Sequence, residues 1–291
     1  MSVLRRFAGS TYRRLAVPFG SRALDRMLRD GLPSRLEKPL RFLFTGERSP
    51  ELLALETRIE ARRAELSKRP EVYRRGPMRW LEVSPEATDD SAISSKRLAN
   101  QSSVPRRWGT FLHLCAGELA ARAILEMGAC LGISGAYLAS AASHPRFITI
   151  EGSPALAPIA EETLSMFSGN ARVLRMSIES GIGRALALLG DERLTIDLAY
   201  VDGHHEEAAT QQYVQSLIPH LSRGALLVLD DISLHAGMRR AWRRLSELEG
   251  VNAAVNAGRF GLLVWEGGAA KPRQYDLARY TGVWRGREAA R

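Results

Sequence analysis

The chain has 291 residues and a mass of 32.1 kDa, with 41 Lys and Arg against 32 Asp and Glu, a net charge of +9. With 45% hydrophobic and 25% charged residues, its composition is that of a globular protein and excludes a disordered chain or a collagen-like fibre. Two cysteines exclude a disulfide scaffold and a four-cysteine zinc site, and no apolar run nears the ~20 residues of a membrane span.

The charge is unevenly placed. Residues 1–107 hold 23 basic and 13 acidic residues, a net of +10, and the remainder carries −1. The first 24 residues contain Arg5, Arg6, Arg13, Arg14 and Arg22 and no acid. That pattern suits a solvated basic arm; an amphipathic targeting or membrane-surface helix, or a mitochondrial presequence, has the same composition. The stretch lacks the apolar core of a secretory signal. Cys115 and Cys130 read as reduced thiols of a cytoplasmic protein.

Residues 50–68 predict an amphipathic helix, with Leu52, Leu53, Leu55, Ile59 and Leu66 at helical spacing, Ser49 as N-cap and Pro50 in the first turn. Residues 83–107 are polar and read as a linker or mobile loop. From 108 onward, short apolar runs alternate with helical segments, the signature of a parallel α/β sheet. Strands are predicted at 123–127, 146–151, 171–176, 196–202 and 225–230. Helices are predicted near 110–120, 134–143, 154–167, 180–189, 206–220 and 235–248. Two last strands, 251–256 and 260–265, are separated only by Ala257-Gly258-Arg259, too short for a crossover, so they form an antiparallel hairpin. The expected organisation is therefore a basic, mostly helical extension (1–107), an α/β domain (108–267) and a basic tail (268–291) that is a candidate for disorder.

The first strand runs into Glu126-Met127-Gly128-Ala129-Cys130-Leu131-Gly132-Ile133-Ser134. Glycines at a strand-to-helix turn admit a ligand to the backbone and leave helix N–H groups for an anion, although a glycine turn with no ligand has the same sequence. The spacing is not GxGxxG, so it does not argue for a dinucleotide. The second strand ends in Glu151-Gly152, about 20 residues later, where an acid can accept both hydroxyls of a ribose; a plain surface acid is the alternative. The fourth strand ends in Asp202-Gly203-His204-His205 and the fifth in Asp230-Asp231. Three carboxylates on the carboxyl edge suit a hard cation such as Mg²⁺; the alternative is that Asp202 and Asp230 only cap the following helices. Adjacent His204 and His205 point apart on an extended segment, which argues against zinc.

By these residues the chain resembles the class I S-adenosylmethionine-dependent methyltransferases, nearest to the catechol O-methyltransferase-like, metal-assisted branch and its bacterial members. The matching segments are ILEMGACLGISGAYLA, TIEGSP, Asp202–His205, Glu207–Thr210, Asp230–Ile232, Met238 and Ala241-Trp242, within about 40–267. The resemblance implies a Rossmann-like, doubly wound, seven-stranded sheet with a reversed last strand, order 3-2-1-4-5-7-6, plus an N-terminal helical extension. It implies that Glu126, Gly128, Ala129, Gly132 and Ser134 form the methionine side of a cofactor site. Glu151 and Gly152 would hold the ribose, Ser177 and Ile178 the adenine edge, and Asp202 would stand beside the cofactor. It implies Asp202, Asp230 and Asp231 as ligands of Mg²⁺ or another divalent cation. His205 stands where the branch has a catalytic lysine. With an unperturbed pKa of ~6.5, it could take a proton from an acceptor hydroxyl at neutral pH, with Asp202 beside it; it could equally serve only to orient a loop.

The reading is thus an O-methyltransferase acting on a hydroxylated small molecule bound beneath the N-terminal helices as a lid. One alternative is an RNA methyltransferase using the basic N-terminal region, which could also meet an anionic membrane surface. Another is a non-catalytic binding protein of the same fold. A homodimer is compatible with either.

Overall fold

The computed structural model describes residues 17–75, 81–84, 92–141, 144–269 and 271–281. The arginine-rich stretch at 1–16 and the tail at 282–291 lie outside the described residues. The extension begins with α1 (17–29), α2 (Glu37–Thr45) and α3 (Pro50–Leu66). Ser49 caps α3 as its sequence predicts, its hydroxyl accepting the Leu52 N–H at 3.2 Å, with Pro50 in the first turn.

The mostly helical extension also holds a small antiparallel sheet, β1 (Val72–Arg75), β2 (Leu81–Val83) and β3 (Ile93–Ser94), in the order β2-β1-β3. A helical turn, α4 (Ser95–Arg97), then passes into a π-helical turn at Leu98–Ser102. Residues 92–107 are therefore packed, not a linker. Their few apolar residues face inward: Leu98 and Val104 are buried, and Arg63 donates 2.6 Å bonds to the carbonyls of Ala99 and Val104.

After α5 (Arg106–Glu118) the domain alternates as expected: β4 (Ala123–Met127), α6 (Ile133–Ala139), β5 (Arg146–Glu151), α7 (Ala157–Ser165), β6 (Ala171–Arg175), α8 (Ile178–Asp191), β7 (Ile196–Val201), α9 (Glu207–Leu217), β8 (Leu221–Leu229), α10 (Ala236–Ser246), β9 (Val251–Asn256) and β10 (Gly261–Trp265). Strands β6, β5, β4, β7 and β8 are parallel, and β10 lies antiparallel between β8 and β9. Counted within the domain, this is the 3-2-1-4-5-7-6 order with its reversed strand. An eighth strand, β11 (Arg273–Asp276), extends the edge by pairing parallel to β9. The start of the expected disordered tail is thus part of the sheet, held because Tyr275 and Leu277 are buried.

Each face of the sheet carries its own core. One joins Ile182, Ala185 and Leu189 of α8 to Tyr213 and Leu217 of α9. The other joins Phe111, Tyr137 and Phe260 to Leu24, Leu36, Leu40, Leu43 and Ile59 of the extension. The extension is therefore a layer of the fold from residue 17 onward. Several of its arginines are engaged in ion pairs: Arg48 and Arg106 both grip the fully buried Glu56, and Arg62 and Arg69 reach Glu162 on α7. No helix among the described residues is long and apolar enough to cross a membrane.

Candidate active site

The parallel strands β4, β5, β7 and β8 all end on one edge. Backbone bonds weld their exits together: Asp202 N–H donates to Met127 at 3.0 Å, Asp230 N–H to Val201 at 3.0 Å, and Gly128 N–H to Ile150 at 2.9 Å. Gly128 has φ +96°, and a Cβ there would lie 2.1 Å from the Asp202 carbonyl oxygen, so the position admits only glycine. Gly132, at φ +78°, turns the chain into α6, where Ser134 is buried in the first turn.

Glu151 leaves β5 with both carboxylate oxygens held. Oε2 accepts the Cys130 N–H at 2.7 Å and Oε1 the Ser153 N–H at 2.8 Å. Each oxygen keeps a second lone pair for a hydroxyl donor. Ala129 and Gly152 flank these two bonds. Ser177 caps α8, its hydroxyl accepting the Ser180 N–H at 3.3 Å, and Ile178 packs against Gly203. Glu126 departs from expectation. It is fully buried behind the glycine loop, where Oε2 accepts from Thr149 at 2.7 Å and Oε1 has no partner. Burial outweighs the nearby hydroxyls of Ser134 and Thr149 and raises its pKa to about 8, so it supports the loop from inside instead of lining the cleft.

Asp202, Asp230 and Asp231 do meet, but as partners of protein cations. Arg259 Nη2 donates to Asp230 Oδ2 at 2.6 Å, and Nη1 lies 3.5 Å from Asp231 Oδ1. The Tyr200 hydroxyl bridges Asp202 Oδ2 and Asp230 Oδ2 at 3.0 Å each. Asp230 Oδ1 accepts the Asp231 N–H at 2.7 Å, and His205 Nε2 stands 3.3 Å from Asp202 Oδ1. Every oxygen of Asp202 and Asp230 thus has a protein partner. Among the described residues no group of three or more His, Cys, Asp or Glu is arranged to hold a metal ion. The expected divalent-cation site does not fit these residues as they stand. Helix capping fails as the alternative too: Glu206 and His235 are the N-cap residues of α9 and α10.

His205 is also corrected. Burial pulls its pKa down, but Asp202, with Asp230 and Asp231 behind it, raises it to about 9. Burial pushes Asp202 up, and the bonds from His205 and Tyr200 with the charge of Arg259 bring it below its ordinary value. The pair is an imidazolium–carboxylate at neutral pH. His204 turns away, its Nδ1 2.5 Å from the Tyr213 hydroxyl, which donates to Glu179. The two histidines have different partners, but not because the segment is extended as expected: they adopt consecutive left-handed conformations at φ +57° and +47°. Cys130 and Asp231 share that strained region, so every one of these four residues sits on a loop leaving the carboxyl edge. His235 caps α10 through Nδ1 and lies 2.8 Å through Nε2 from the His205 carbonyl, which fixes the loop.

The sequence reading gives Tyr200 and Arg259 no role in the site, yet each left a signal. Tyr200 is two residues before Asp202 on one strand and so shares its face. The 257–259 turn follows β9, which parallels β8, so a reversed β10 must start on the carboxyl edge.

Residues 125–232 match the methyltransferase-domain family. A catechol O-methyltransferase of Mycobacterium tuberculosis is 28% identical over 200 residues, 62% of this chain and 87% of that protein. Over the matched residues the chain carries a methyltransferase domain, and it is similar in sequence and fold to the class I S-adenosylmethionine-dependent methyltransferases. The cofactor-bound structure of Rv0187 from MTB has 21% identity and a TM-score of 0.52, covering 81% of this chain and all (100%) of that one. A Klebsiella pneumoniae structure described as an O-methyltransferase has 16% identity and a TM-score of 0.51, covering 76% of this chain and 92% of its own. Both share the fold.

Among the described residues, the helices of the extension do not form the expected lid over this edge. They pack on α5 and α6, and a cavity of about 850 Å³ beneath them is lined by Lys38, Arg41, His113 and Ser140, with none of the predicted site residues. What reaches the site instead is β2, whose Leu81 carbonyl accepts from the Ser153 hydroxyl beside Glu151.

Proposed function

We propose that the enzyme methylates a hydroxyl of a small molecule held at the carboxyl edge, between His205 and the glycine loop. S-adenosylmethionine supplies a methyl group on a sulfonium, which an acceptor oxygen takes by in-line displacement. Glu151, pre-set by two backbone donors, suits the ribose, and the turn at Gly128 and Gly132 leaves room for the rest. The His205 imidazolium, held by Asp202, orients the acceptor oxygen and stabilises it as it becomes anionic, and the acceptor's proton leaves to solvent water as the new C–O bond forms. The electron pair of the broken C–S bond stays on sulfur.

The observation that carries this reading is the contact of His205 with Asp202 at 3.3 Å, one backbone bond from the glycine loop. An RNA acceptor is less favoured, because arginines 41, 48, 62, 63, 69 and 106 of the extension are tied to carboxylates of the same chain. Divalent-metal assistance would require Arg259 to leave Asp230. Two free thiols suit a cytoplasmic enzyme. Titration calorimetry with S-adenosylmethionine, followed by release of S-adenosylhomocysteine with phenolic and aliphatic hydroxyl acceptors, tests the reading. Absence of cofactor binding at millimolar concentration, or turnover with RNA alone, rejects it.

A further inference from the structure

We propose that the Arg259 guanidinium is the resident cation of this site, standing where a divalent metal would otherwise bridge the carboxylates. The inference rests on the methyltransferase reading and removes the metal from it.

Three carboxylates gathered at one edge need compensating charge, because unpaired burial of several anions is costly. A divalent ion bound through oxygen ligands is one solution. Here the charge comes from the chain. Arg259 bonds Asp230 Oδ2 and faces Asp231 Oδ1, while Asp230 is fully buried. The arginine is itself anchored. It precedes Phe260, which is fully buried among Trp108, Phe111 and Tyr200 with ring centroids 4.6, 5.9 and 5.6 Å away. Tyr200 is the same residue that bridges Asp202 and Asp230, so the aromatic cluster fixes cation and anions together. The backbone carbonyl of Arg259 accepts the Ile232 N–H at 3.2 Å, tying the hairpin tip to the loop that carries Asp230 and Asp231.

Two features fit a fixed organic cation better than an exchangeable ion. The guanidinium fork matches two neighbouring carboxylates, which a spherical ion with octahedral demands does not need. Asp230 Oδ2 already takes both Arg259 and the Tyr200 hydroxyl, which fills its two lone-pair sites, and Oδ1 is engaged by the Asp231 N–H. The acceptor hydroxyl is then placed by His205 and Asp202, and the Arg259 charge offsets the two acids behind them as the oxygen becomes anionic.

The test uses the full-length enzyme. Wild-type protein titrated with Mn²⁺ by electron paramagnetic resonance is expected to show no stoichiometric site, and its turnover is expected to be unchanged after EDTA. Arg259→Ala opens the position. It should acquire Mn²⁺ binding, lose about tenfold or more in metal-free turnover, and recover part of that loss with Mn²⁺ or added guanidinium. Arg259→Lys, which keeps the charge and guards against a misfolded alanine variant, should remain metal-independent. Stoichiometric Mn²⁺ binding by the wild type that Asp230→Asn removes, together with EDTA-sensitive turnover, overturns the proposal. So does a folded Arg259→Ala protein that gains no Mn²⁺ binding. S-adenosylmethionine titrated into the same samples separates the two levels: loss of cofactor binding in the wild type sinks the methyltransferase reading, while the metal titration still decides Arg259.

Discussion

Glu126 offers a test of the site's interior that needs no substrate. Its carboxyl group is fully buried, takes one hydrogen bond from Thr149, and leaves Oε1 with no partner. Burial, with the charges of Asp202 and Glu151 nearby, raises its pKa from 4.5 to about 8. In the unfolded chain the group ionises near its ordinary value; in the folded protein it keeps its proton until about pH 8. Below the unfolded value both states are protonated and the group costs nothing. Between the two values the folded state binds the extra proton, so stability falls as pH rises, by about 1.4 kcal/mol per unit. Across the full interval from 4.5 to about 8 the loss is roughly 5 kcal/mol, after which it levels off.

Glu126→Gln removes this titration while keeping the volume and an oxygen for Thr149. The amide adds a buried donor that costs about 1–3 kcal/mol at every pH. The informative quantity is therefore the slope, not the offset. Urea denaturation of the cofactor-free protein between about pH 5 and 8 should show the variant gaining on the wild type by about 1.4 kcal/mol per unit. Parallel curves over that range would refute the reasoning: Glu126 would then ionise normally, and its burial behind the loop would be wrong.

Three further outcomes follow from the geometry. Gly128→Ala places a methyl group 2.1 Å from the Asp202 carbonyl oxygen at φ +96°, so it should cost about 2–4 kcal/mol in thermal or urea unfolding and abolish cofactor binding by calorimetry. Glu151→Ala removes the acceptor of the Cys130 and Ser153 N–H groups and the ribose partner together; S-adenosylmethionine affinity should fall about 10- to 100-fold, read by the same titration. Glu56→Ala strips the shared partner of Arg48, Arg106 and Thr110 from a fully buried position and should cost about 3–5 kcal/mol. Because those bonds hold the Glu56 pKa below 4.5 against burial, the wild-type contribution is present above 4.5 and is lost as acid takes the pH through the lower folded value, and the variant should lack that acid limb.

The sheet was legible because its strands are buried on both faces. Such strands appear as short, mostly apolar runs such as AILEM and VNAAVN, and the observed bounds of β4, β5 and β9 coincide with the predicted ones. The segments that misled are those whose packing depends on distant partners. Residues 92–107 are polar in composition, and what holds them is Arg63, some 36 to 41 residues earlier in the chain. β11 follows a Gly-rich turn with only Tyr275 and Leu277 to mark it, and its pairing with β9 is a tertiary fact.

The site divides along the same line. Residues whose role follows from the backbone, namely Gly128, Gly132 and Glu151 at strand exits, stand where the pattern of strand and turn places them. The acids Asp202, Asp230 and Asp231 also converge, but which cation balances them is not a property of their own segments. A carboxylate cluster read alone is ambiguous between a metal and an arginine, since both satisfy the same charge. The choice is made by a residue 28 positions after Asp231, at the tip of a hairpin whose direction must be known first. Once β10 is reversed, the tip lies on the carboxyl edge. The buried Phe260 then fixes the chain there, and Arg259, next to it, meets Asp230. The chemistry of this site is therefore set by the topology of its last two domain strands as much as by the acids that a motif would single out.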